Sequence, residues 1–465
     1  MSPQPSRTGE PPVQSRGEPR ELTLAVGAPA HGGHCVARPV DDPGGRVIFV
    51  RHALPGETVR ARLTEMTSRT WRADAVEILQ ASPDRVASVW PDAGPAGVGG
   101  GELAHVALDA QRTWKRWVLA DCLRRIGGQE VADAVASLPE ASGAAAAPIE
   151  PMPTDAAAQA STSARRRALA GTATRTRISL TVSEDGRPGM HAFRSGTVLP
   201  LRRLPLAVDA ITEIGLLERS RWRAHYRPGM RIEAIAPSGG EPVVLLDERL
   251  LTAQARSTGR RRVREVVDAS ALGLGELTYS VHAECFWQVH VDAPRVLVER
   301  VVRGALGENL ERATGRRVLE LYSGAGLFTL PLAALVGDSG QVLSLEGSEQ
   351  AVRDARRTLH DHPAARLASG RVSARSVREL AGSFTGGRPD VVVLDPPRQG
   401  AGREVIDAVS TLGAERIVLV ACDPAALARD LGTLLRDGYV LGSMSALDMF
   451  PHTHHFETIA VLDRS

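Results

Sequence analysis

The sequence has few cysteines and no long apolar run. Its four cysteines are scattered over 465 residues without a CxxC pair, which excludes a disulfide framework and fits a reducing cytoplasm. No apolar run reaches the length of a membrane-spanning helix, so no membrane partner is expected. A GxxxxGK[ST] loop is also missing, which argues against a nucleoside triphosphatase.

The sequence also lacks a large excess of positive or negative charge: its formal net charge is +2. The arginines nevertheless cluster in two stretches, at 163–177 and 254–266. Such runs form either solvated faces or a patch that contacts RNA. Both interpretations stay open from the sequence.

Composition and hydrophobic pattern predict two N-terminal regions. Residues 1–20 are polar and rich in Pro, Ser, Gly and Glu, which predicts a disordered tail and no signal peptide. Residues 21–86 contain five short runs with β-branched residues, broken by Gly and Pro, as in a small barrel of the oligonucleotide-binding type. A small β domain without a ligand is the alternative.

The rest of the chain has two different rhythms. Residues 87–285 are predicted to form a mostly β middle region with one clear helix. Within it, residues 138–165 are rich in Ala, Pro, Ser and Thr and are predicted to form a flexible insertion. Within 286–465, apolar strands alternate with amphipathic helices. This pattern predicts a Rossmann-like α/β domain, in which ligands bind outside the carboxyl ends of the strands.

Three predicted strand ends carry residues typical of a nucleoside site. Gly324, in the stretch ELYSGAGLF, lets the backbone approach a ligand, and Glu346 ends the next strand, where an acid can hold ribose hydroxyls. Asp395 ends a third strand before two prolines, which impose a rigid, extended turn. A helix cap is the alternative for Asp395, and the proline pair favours a functional role.

A fourth strand ends at Cys422, in the stretch VLVACDPAALARDL. A buried structural thiol is one interpretation, and it is the one adopted for Cys122, which lies within a helical pattern. Cys422 instead falls on the same sheet edge as the predicted cofactor site. Its position therefore favours a nucleophile.

The C-terminal stretch FPHTHHFE holds three histidines, His452, His454 and His455, close to Glu457. A metal site is one interpretation, but the spacing does not match HExxH and no metal is predicted. Glu457 begins an apolar strand. Partial burial would raise its pKa and suit it to act as a general base.

Four stretches together resemble the motifs of the RNA uracil-5-methyltransferase family: LYSGAGLFTLPLA, LDPPRQG, ACDPAALARDL and MFPHTHHFE. The N-terminal region, with GGHCVARP, VIFVRHALPGE and ILQASPDRV, resembles the TRAM domain. That RNA-binding module accompanies the ribosomal-RNA branch of the family. The resemblance covers nearly the whole chain except the tail and the Ala-rich insertion.

The resemblance implies an S-adenosylmethionine-dependent enzyme that forms 5-methyluridine in RNA, with 23S rRNA as the expected substrate. It implies that the Cys422 thiolate attacks uracil C6 and that Glu457 removes the C5 proton. Contacts to S-adenosylmethionine are implied at the matching positions Gln288, Tyr322, Glu346 and Asp395. A cytoplasmic location and, by default, a monomer are expected.

Three departures from the family pattern carry further expectations. Ribosomal-branch members often hold an iron–sulfur cluster through cysteines, whereas Val98, Gly101 and Leu204 stand at the matching positions, so no cluster is expected. Leu327 replaces an asparagine, which removes one polar cofactor contact. Asp423 follows Cys422 where asparagine is commoner, and its charge would raise the pKa of the thiol.

Two other functions stay open. The DPPR stretch also resembles the DPPY-type loop of enzymes that methylate exocyclic amines, and those enzymes need no cysteine. An RNA-binding protein with a lapsed catalytic site is the other alternative. The missing cluster ligands and Leu327 support it, whereas Cys422 and Glu457 argue against it.

Overall fold

The structure is a computed structural model that describes residues 20–465. Apart from residue 20, the predicted disordered tail lies outside the described residues. The described residues fold into two compact units: one contains residues 20–30 and His34–Pro83, the other His31–Gly33 and Asp84–Ser465. Within residues 20–465, no helix combines the length and apolar character that a membrane span requires.

The first unit is a closed barrel of five strands, as the run of short β-branched segments predicts. Alternate residues of its strands face inward, and Leu24, Ile48 and Val59 are fully buried in its core. The strand order around the barrel is β1-β2-β3-β5-β4. The strands are β1 (Glu21–Ala30), β2 (His34–Pro39), β3 (Ile48–Arg51), β4 (Thr58–Met66) and β5 (Trp71–Gln80).

The second unit begins with helices and one short strand. These are α1 (Leu108–Cys122), α2 (Gln129–Ala136), β6 (Ile149–Pro151), α3 (Pro153–Gln159) and α4 (Ala164–Ala168). Cys122 is buried at the end of α1, as the core interpretation predicts. The segment 138–165 therefore differs from the predicted flexible insertion, because β6 pairs with a strand of the C-terminal sheet and α3 follows it directly.

The predicted β middle region forms an antiparallel sheet of six strands and a separate hairpin. Their elements are β7 (Arg177–Val182), β8 (Pro188–His191), β9 (Val198–Pro200), α5 (Asp209–Thr212), α6 (Ser220–Arg223), β10 (Arg231–Ile235), β11 (Val243–Leu246), β12 (Arg249–Thr252), β13 (Arg262–Asp268) and β14 (Glu276–His282). The sheet order is β12-β11-β10-β7-β8-β9, and β13 pairs with β14. Trp222 and Ile232, a residue of β10, are fully buried in the apolar core of this region.

The C-terminal region alternates strands and helices, as the hydrophobic pattern predicts. Its elements are α7 (Ala293–Leu306), β15 (Arg317–Leu321), α8 (Thr329–Val336), β16 (Gln341–Glu346), α9 (Glu349–Thr358), β17 (Ala365–Ser369), α10 (Ala374–Ala381), β18 (Val391–Leu394), α11 (Arg403–Thr411), β19 (Arg416–Ala421), α12 (Pro424–Arg436), β20 (Tyr439–Asp448) and β21 (Glu457–Arg464). Because the middle and C-terminal regions belong to one compact unit, a domain boundary at 286 stays a prediction.

The C-terminal strands form one eight-stranded sheet in the order β17-β16-β15-β18-β19-β21-β20-β6. Strands β15 to β19 are parallel to one another, and β21 pairs antiparallel with β19. The carboxyl ends of four central strands and the first residue of β21 therefore meet at one edge of the sheet. This is the edge at which ligands bind in parallel α/β sheets.

A fully buried ion pair links the sheet to α1. The Lys115 ammonium donates to the Asp448 carboxylate at the end of β20, and both side chains are buried. The ammonium also donates to the backbone carbonyl of Phe450, at 3.1 Å. The pair therefore ties the loop that follows β20 to the helix.

We expect Lys115→Met to lower the free energy of unfolding by about 3–5 kcal/mol, because Asp448 would be left as an unpaired buried charge. Urea denaturation followed by tryptophan fluorescence measures this change. The double variant Lys115→Met, Asp448→Leu should recover most of the loss, since it removes both charges. The exposed pair Arg125–Asp121 provides the control: Arg125→Met should cost less than about 1 kcal/mol. If Lys115→Met and Arg125→Met lowered the free energy of unfolding equally, the stabilising role of the buried pair would be contradicted.

Candidate active site

A cavity of about 1500 Å³ opens at the sheet edge where the strands end. The structure places every site residue predicted from the sequence in its lining. These residues are Gln288, Tyr322, Gly324, Glu346, Asp395, Cys422 and Glu457. They come from widely separated parts of the chain, and the sheet order brings them together.

The turn after β15 forms one wall of the cavity. Tyr322 and Gly324 both have positive φ angles, of 65° and 54°, so the chain leaves the strand through a left-handed turn. The Gly324 N–H donates to the Glu346 carboxylate at 2.9 Å. The Ser348 N–H donates to the other oxygen of the same carboxylate, at 2.6 Å. Glu346 is thus held in place at the end of β16.

Leu327 is buried in the same wall. Its backbone carbonyl accepts a hydrogen bond from the Tyr279 hydroxyl at 2.9 Å, and its side chain packs within the apolar core. The position predicted to lack a polar cofactor contact therefore contributes an apolar surface to the cavity.

Glu320, the residue before the end of β15, is a buried carboxyl that the sequence reasoning did not single out. One of its oxygens accepts hydrogen bonds from the hydroxyls of Thr329 (2.5 Å) and Ser344 (2.8 Å), and the other has no partner. Burial raises the pKa of Glu320 to about 7 against those hydrogen bonds, and the charges of Asp395 and Glu346 add to the rise. Its position directly before a glycine turn was the available signal.

Asp395 and Glu457 are two further carboxyls inside the cavity. Burial, followed by the charge of Glu346, raises the pKa of Asp395 to about 7. Burial and the charge of Asp395 raise the pKa of Glu457 well above its ordinary value, and one oxygen of Glu457 has no hydrogen-bond partner. The cavity therefore concentrates acidic groups, and a positively charged ligand would be stabilised in it.

Strand pairing places Cys422 beside Glu457. The last pair between β19 and β21 joins Ala421 to Thr458. Since the two strands run in opposite directions, one further step along each brings Cys422 opposite Glu457. Burial, then Glu457 and Asp395, raises the pKa of the Cys422 thiol to about 12, and the charge of Arg398 acts against that rise.

Asp423 has a different role from the one expected. Its side chain caps α12 by accepting hydrogen bonds from the N–H groups of Ala425 and Ala426, at 3.0 and 2.9 Å. Its charge therefore faces the positive end of the helix dipole. The largest charge effects on the Cys422 pKa come from Glu457 and Asp395.

Among the described residues, four arginines line the cavity, and none was predicted as a site residue: Arg175, Arg371, Arg398 and Arg403. Arg398 follows the two prolines after Asp395, and Arg175 belongs to the basic stretch 163–177. That stretch is divided in the structure, because Arg165 to Arg167 are exposed whereas Arg175 faces the cavity. Nothing in the local sequence pattern separates Arg175 from its neighbours.

The positions that the resemblance matches to cluster ligands are packed with apolar groups. Val98 and Trp90 are buried in one apolar core, and Leu204 packs against it. A Cβ atom added to Gly101 would lie 2.7 Å from a ring carbon of Trp90 and 2.7 Å from the Cβ of Ala93. The residues present supply no thiolate and leave no room for a side chain at Gly101, so they do not fit an iron–sulfur cluster.

The C-terminal histidines separate into two groups. The His452 ring is buried and hydrogen-bonds the Gln111 side chain and the Ala170 carbonyl. His454 and His455 approach Glu102, and one ligand atom from each of these three residues lies within 4.8 Å of the others. Glu102 lies in a glycine-rich segment, residues 93–105, and was not a sequence candidate.

Comparison with known proteins decides the family. A family model for tRNA (uracil-5-)-methyltransferases matches residues 260–465, and one for the TRAM domain matches residues 18–76. An "Uncharacterized RNA methyltransferase" of Streptomyces coelicolor is 38% identical over 97% of this chain and 94% of its own length. The 23S rRNA (uracil(1939)-C(5))-methyltransferase RlmD of Acinetobacter baumannii is 30% identical over 94% of this chain and 92% of its own length.

The chain belongs to the RNA uracil-5-methyltransferase family. It is thus an S-adenosylmethionine-dependent RNA methyltransferase with an N-terminal TRAM domain, as the sequence motifs predict. The methyltransferase also shares its fold with the Pyrococcus abyssi tRNA (uracil-54, C5)-methyltransferase solved with S-adenosyl-L-homocysteine. That structure matches with a TM-score of 0.61 at 20% identity and covers 94% of this chain and 99% of its own.

The cavity of the methyltransferase suits its cofactor. The glycine turn and Glu346 lie where a nucleoside binds in such sheets. The cluster of carboxyls around Asp395 suits the positive sulfonium of S-adenosylmethionine, and an ionised Asp395 would attract it more strongly than a neutral one.

We therefore expect the affinity for S-adenosylmethionine to increase as the pH rises through about 7, because Asp395 loses its proton there. Asp395→Asn should bind less tightly and lose most of this pH dependence. S-adenosylhomocysteine, whose sulfur is neutral, should respond less to pH in the wild-type protein. Isothermal titration calorimetry across this range measures all three.

Asp361→Asn provides the matched control, because that carboxylate is exposed, bonds only its neighbour His360 and lies outside the cavity. It should retain the wild-type pH dependence. A wild-type affinity that does not change with pH would contradict the role assigned to Asp395.

Proposed function

We propose that the methyltransferase forms 5-methyluridine through a covalent bond between Cys422 and the uracil ring. The observation that carries this proposal is the pairing of β19 with β21, whose register, continued by one residue, brings Cys422 opposite Glu457. The charge of Glu457 also acts on the Cys422 thiol. Both groups line the cavity that also contains the glycine turn and Asp395. A nucleophile and a general base therefore face one space that is large enough for a uracil ring and the cofactor.

The chemistry follows from these two groups. The Cys422 thiolate attacks C6 of uracil and forms an S–C6 bond, while the electron pair of the C5–C6 double bond becomes available at C5. S-adenosylmethionine, when bound, supplies the methyl group that C5 accepts. Glu457 then removes the C5 proton, the C–H electrons restore the C5–C6 double bond, and the S–C6 bond breaks to return the thiolate.

The charges in the cavity suggest how the thiolate forms. In the free protein, burial and the neighbouring carboxyls keep the pKa values of Cys422 and Glu457 high. A positive sulfonium in the cavity would lower both pKa values, since it favours the charged forms. Arg398 acts in the same direction on Cys422. Cofactor binding would thus prepare both groups for reaction.

We propose 23S rRNA as the substrate. The TRAM domain and the 30% identity to the ribosomal-RNA enzyme RlmD support this choice over transfer RNA. The target uridine must leave its stack to reach Cys422 inside the cavity. Mass mapping of 5-methyluridine in ribosomal and transfer RNA, with and without the protein, tests the substrate. A cytoplasmic location and a monomeric state stay predictions.

Incubation with RNA that contains 5-fluorouridine and with S-adenosylmethionine should give a stable covalent complex, because fluorine at C5 cannot leave as a proton. Cys422→Ala should give no complex and no methylation. Glu457→Gln should slow turnover by about 100-fold or more, as expected for loss of a general base. Denaturing gels and peptide mass spectrometry identify the complex.

Cys122→Ala, which removes a buried thiol outside the cavity, is the control and should still form the complex. Methylation of unmodified RNA by Cys422→Ala would contradict the proposal. A product with an N-methylated base would then support the exocyclic amine alternative, and tight RNA binding without any complex would support the lapsed enzyme.

We also propose that this family member works without an iron–sulfur cluster. The apolar packing around Val98, Gly101 and Leu204 supports this view. Protein purified without oxygen should contain no stoichiometric iron or acid-labile sulfide and should methylate RNA in the presence of an iron chelator. Stoichiometric iron, together with loss of activity on its removal, would contradict the proposal.

A further inference from the structure

Four polar side chains form a connected row that ends at Arg398, in the cavity that Cys422 also lines. The row runs from Glu102 in the glycine-rich segment, through His454 and His455 before β21, to Arg398 in the turn after β18. His455, Arg398 and Cys422 line the cavity, whereas Glu102 and His454 lie outside its lining. The methyl-transfer mechanism described above assigns no role to the first three members of the row.

Glu102 and His454 form the anchored end of the row. The Glu102 carboxylate accepts a hydrogen bond from the His454 backbone N–H at 3.1 Å and a second from Nδ1 of the His454 ring. Burial acts to raise the pKa of Glu102, but the hydrogen bond and charge of His454 outweigh it and hold the pKa well below its ordinary value. Glu102 is therefore ionised and fixes the orientation of the His454 ring.

His455 is the middle of the row. Its ring lies against that of His454, with 3.9 Å between the ring centroids. Burial, then the charges of His454 and Arg398, lowers the pKa of His455 to about 3, with Lys115 acting in the same direction and Glu102 against it. The ring is therefore neutral, and its Nε2 accepts a hydrogen bond from Nη2 of Arg398 at 3.3 Å.

Arg398 is the end of the row that affects the thiol. Glu457 and Asp395 raise the Cys422 pKa, and Arg398 supplies the opposing positive charge. Its guanidinium is at the end of a long, flexible side chain, so its effect depends on what holds it in place. The contact to His455 provides that hold.

We propose that Glu102, His454 and His455 are positioning residues that hold Arg398 beside Cys422 and so favour the thiolate. This inference rests on the proposed function, because it concerns the nucleophile of the same site. A metal ion at Glu102, His454 and His455 is the competing interpretation. The hydrogen bonds already made by His454 Nδ1 and His455 Nε2, and the positive charge of Arg398, argue against it.

The test measures Cys422 reactivity without RNA. The full-length protein is treated with iodoacetamide, and peptide mass spectrometry follows the alkylation rate of Cys422 at several pH values above neutrality. The alkylation rate is proportional to the thiolate fraction. At pH values below the pKa of the thiol, a pKa rise of about 0.5–1 unit therefore slows alkylation about 3–10-fold. We expect Arg398→Gln and Glu102→Gln to slow it within this range.

Two variants at His455 separate positioning from access to the thiol. Leu and Gln are similar in size, but only Gln offers an oxygen that can accept the hydrogen bond from Arg398. His455→Leu should therefore slow alkylation about 3–10-fold, and His455→Gln should stay close to the wild-type rate. Arg375→Gln is the charge control and should keep the wild-type rate, because Arg375 is exposed, pairs with Glu379 and lies outside the cavity lining.

Equal rates in His455→Leu and His455→Gln, or a wild-type rate in Glu102→Gln, would overturn the proposal. Stoichiometric Zn²⁺ binding that Glu102→Gln abolishes would also overturn it, in favour of a metal site. Circular dichroism checks that each variant folds. If His455→Leu fails to fold, the alkylation rate of Glu102→Gln alone decides whether the positioning role holds. Because no RNA is used, a rate difference without a fluorouridine complex would reject the proposed function and keep the positioning role.

Discussion

The antiparallel pairing of β21 with β19 is the constraint on which the site depends. Parallel strands alone would bring Asp395 and Cys422 to one sheet edge, but a parallel last strand would put its first residue at the opposite edge. Because β21 runs antiparallel to β19, it begins, at Glu457, next to the end of β19, which Cys422 follows. Cys422 and Glu457, the proposed nucleophile and base, therefore meet although α12 and β20 lie between them along the chain.

The second constraint is the concentration of buried acid around that meeting point. Burial raises the pKa values of Glu320, Asp395 and Glu457, and the charges of Glu346 and Asp395 add to the rise. The protein alone therefore favours neutral acids and a neutral thiol. A positively charged ligand reverses this preference, since it stabilises each charged form. In the proposed mechanism, cofactor binding would therefore favour the Cys422 thiolate.

The loop between β20 and β21 is held mainly by elements from far earlier in the chain. Lys115 binds the Phe450 carbonyl, Gln111 binds the backbone and ring of His452, and Glu102 binds His454. The glycine-rich segment, packed with apolar side chains at the positions that the resemblance matches to cluster ligands, thus contributes directly to the catalytic loop. The middle region positions the site as well as linking the two ends of the chain.

The sequence by itself determined the strands, the residues at their ends and the family, because alternating apolar runs, glycine turns and short motifs are local signals. It did not predict that β6 completes the sheet, that Arg175 faces the cavity or that Glu102 meets His454. Those contacts join residues that are far apart along the chain. Only the tertiary structure decided them, since long-range pairing depends on how whole elements pack and leaves no periodic trace in the local sequence.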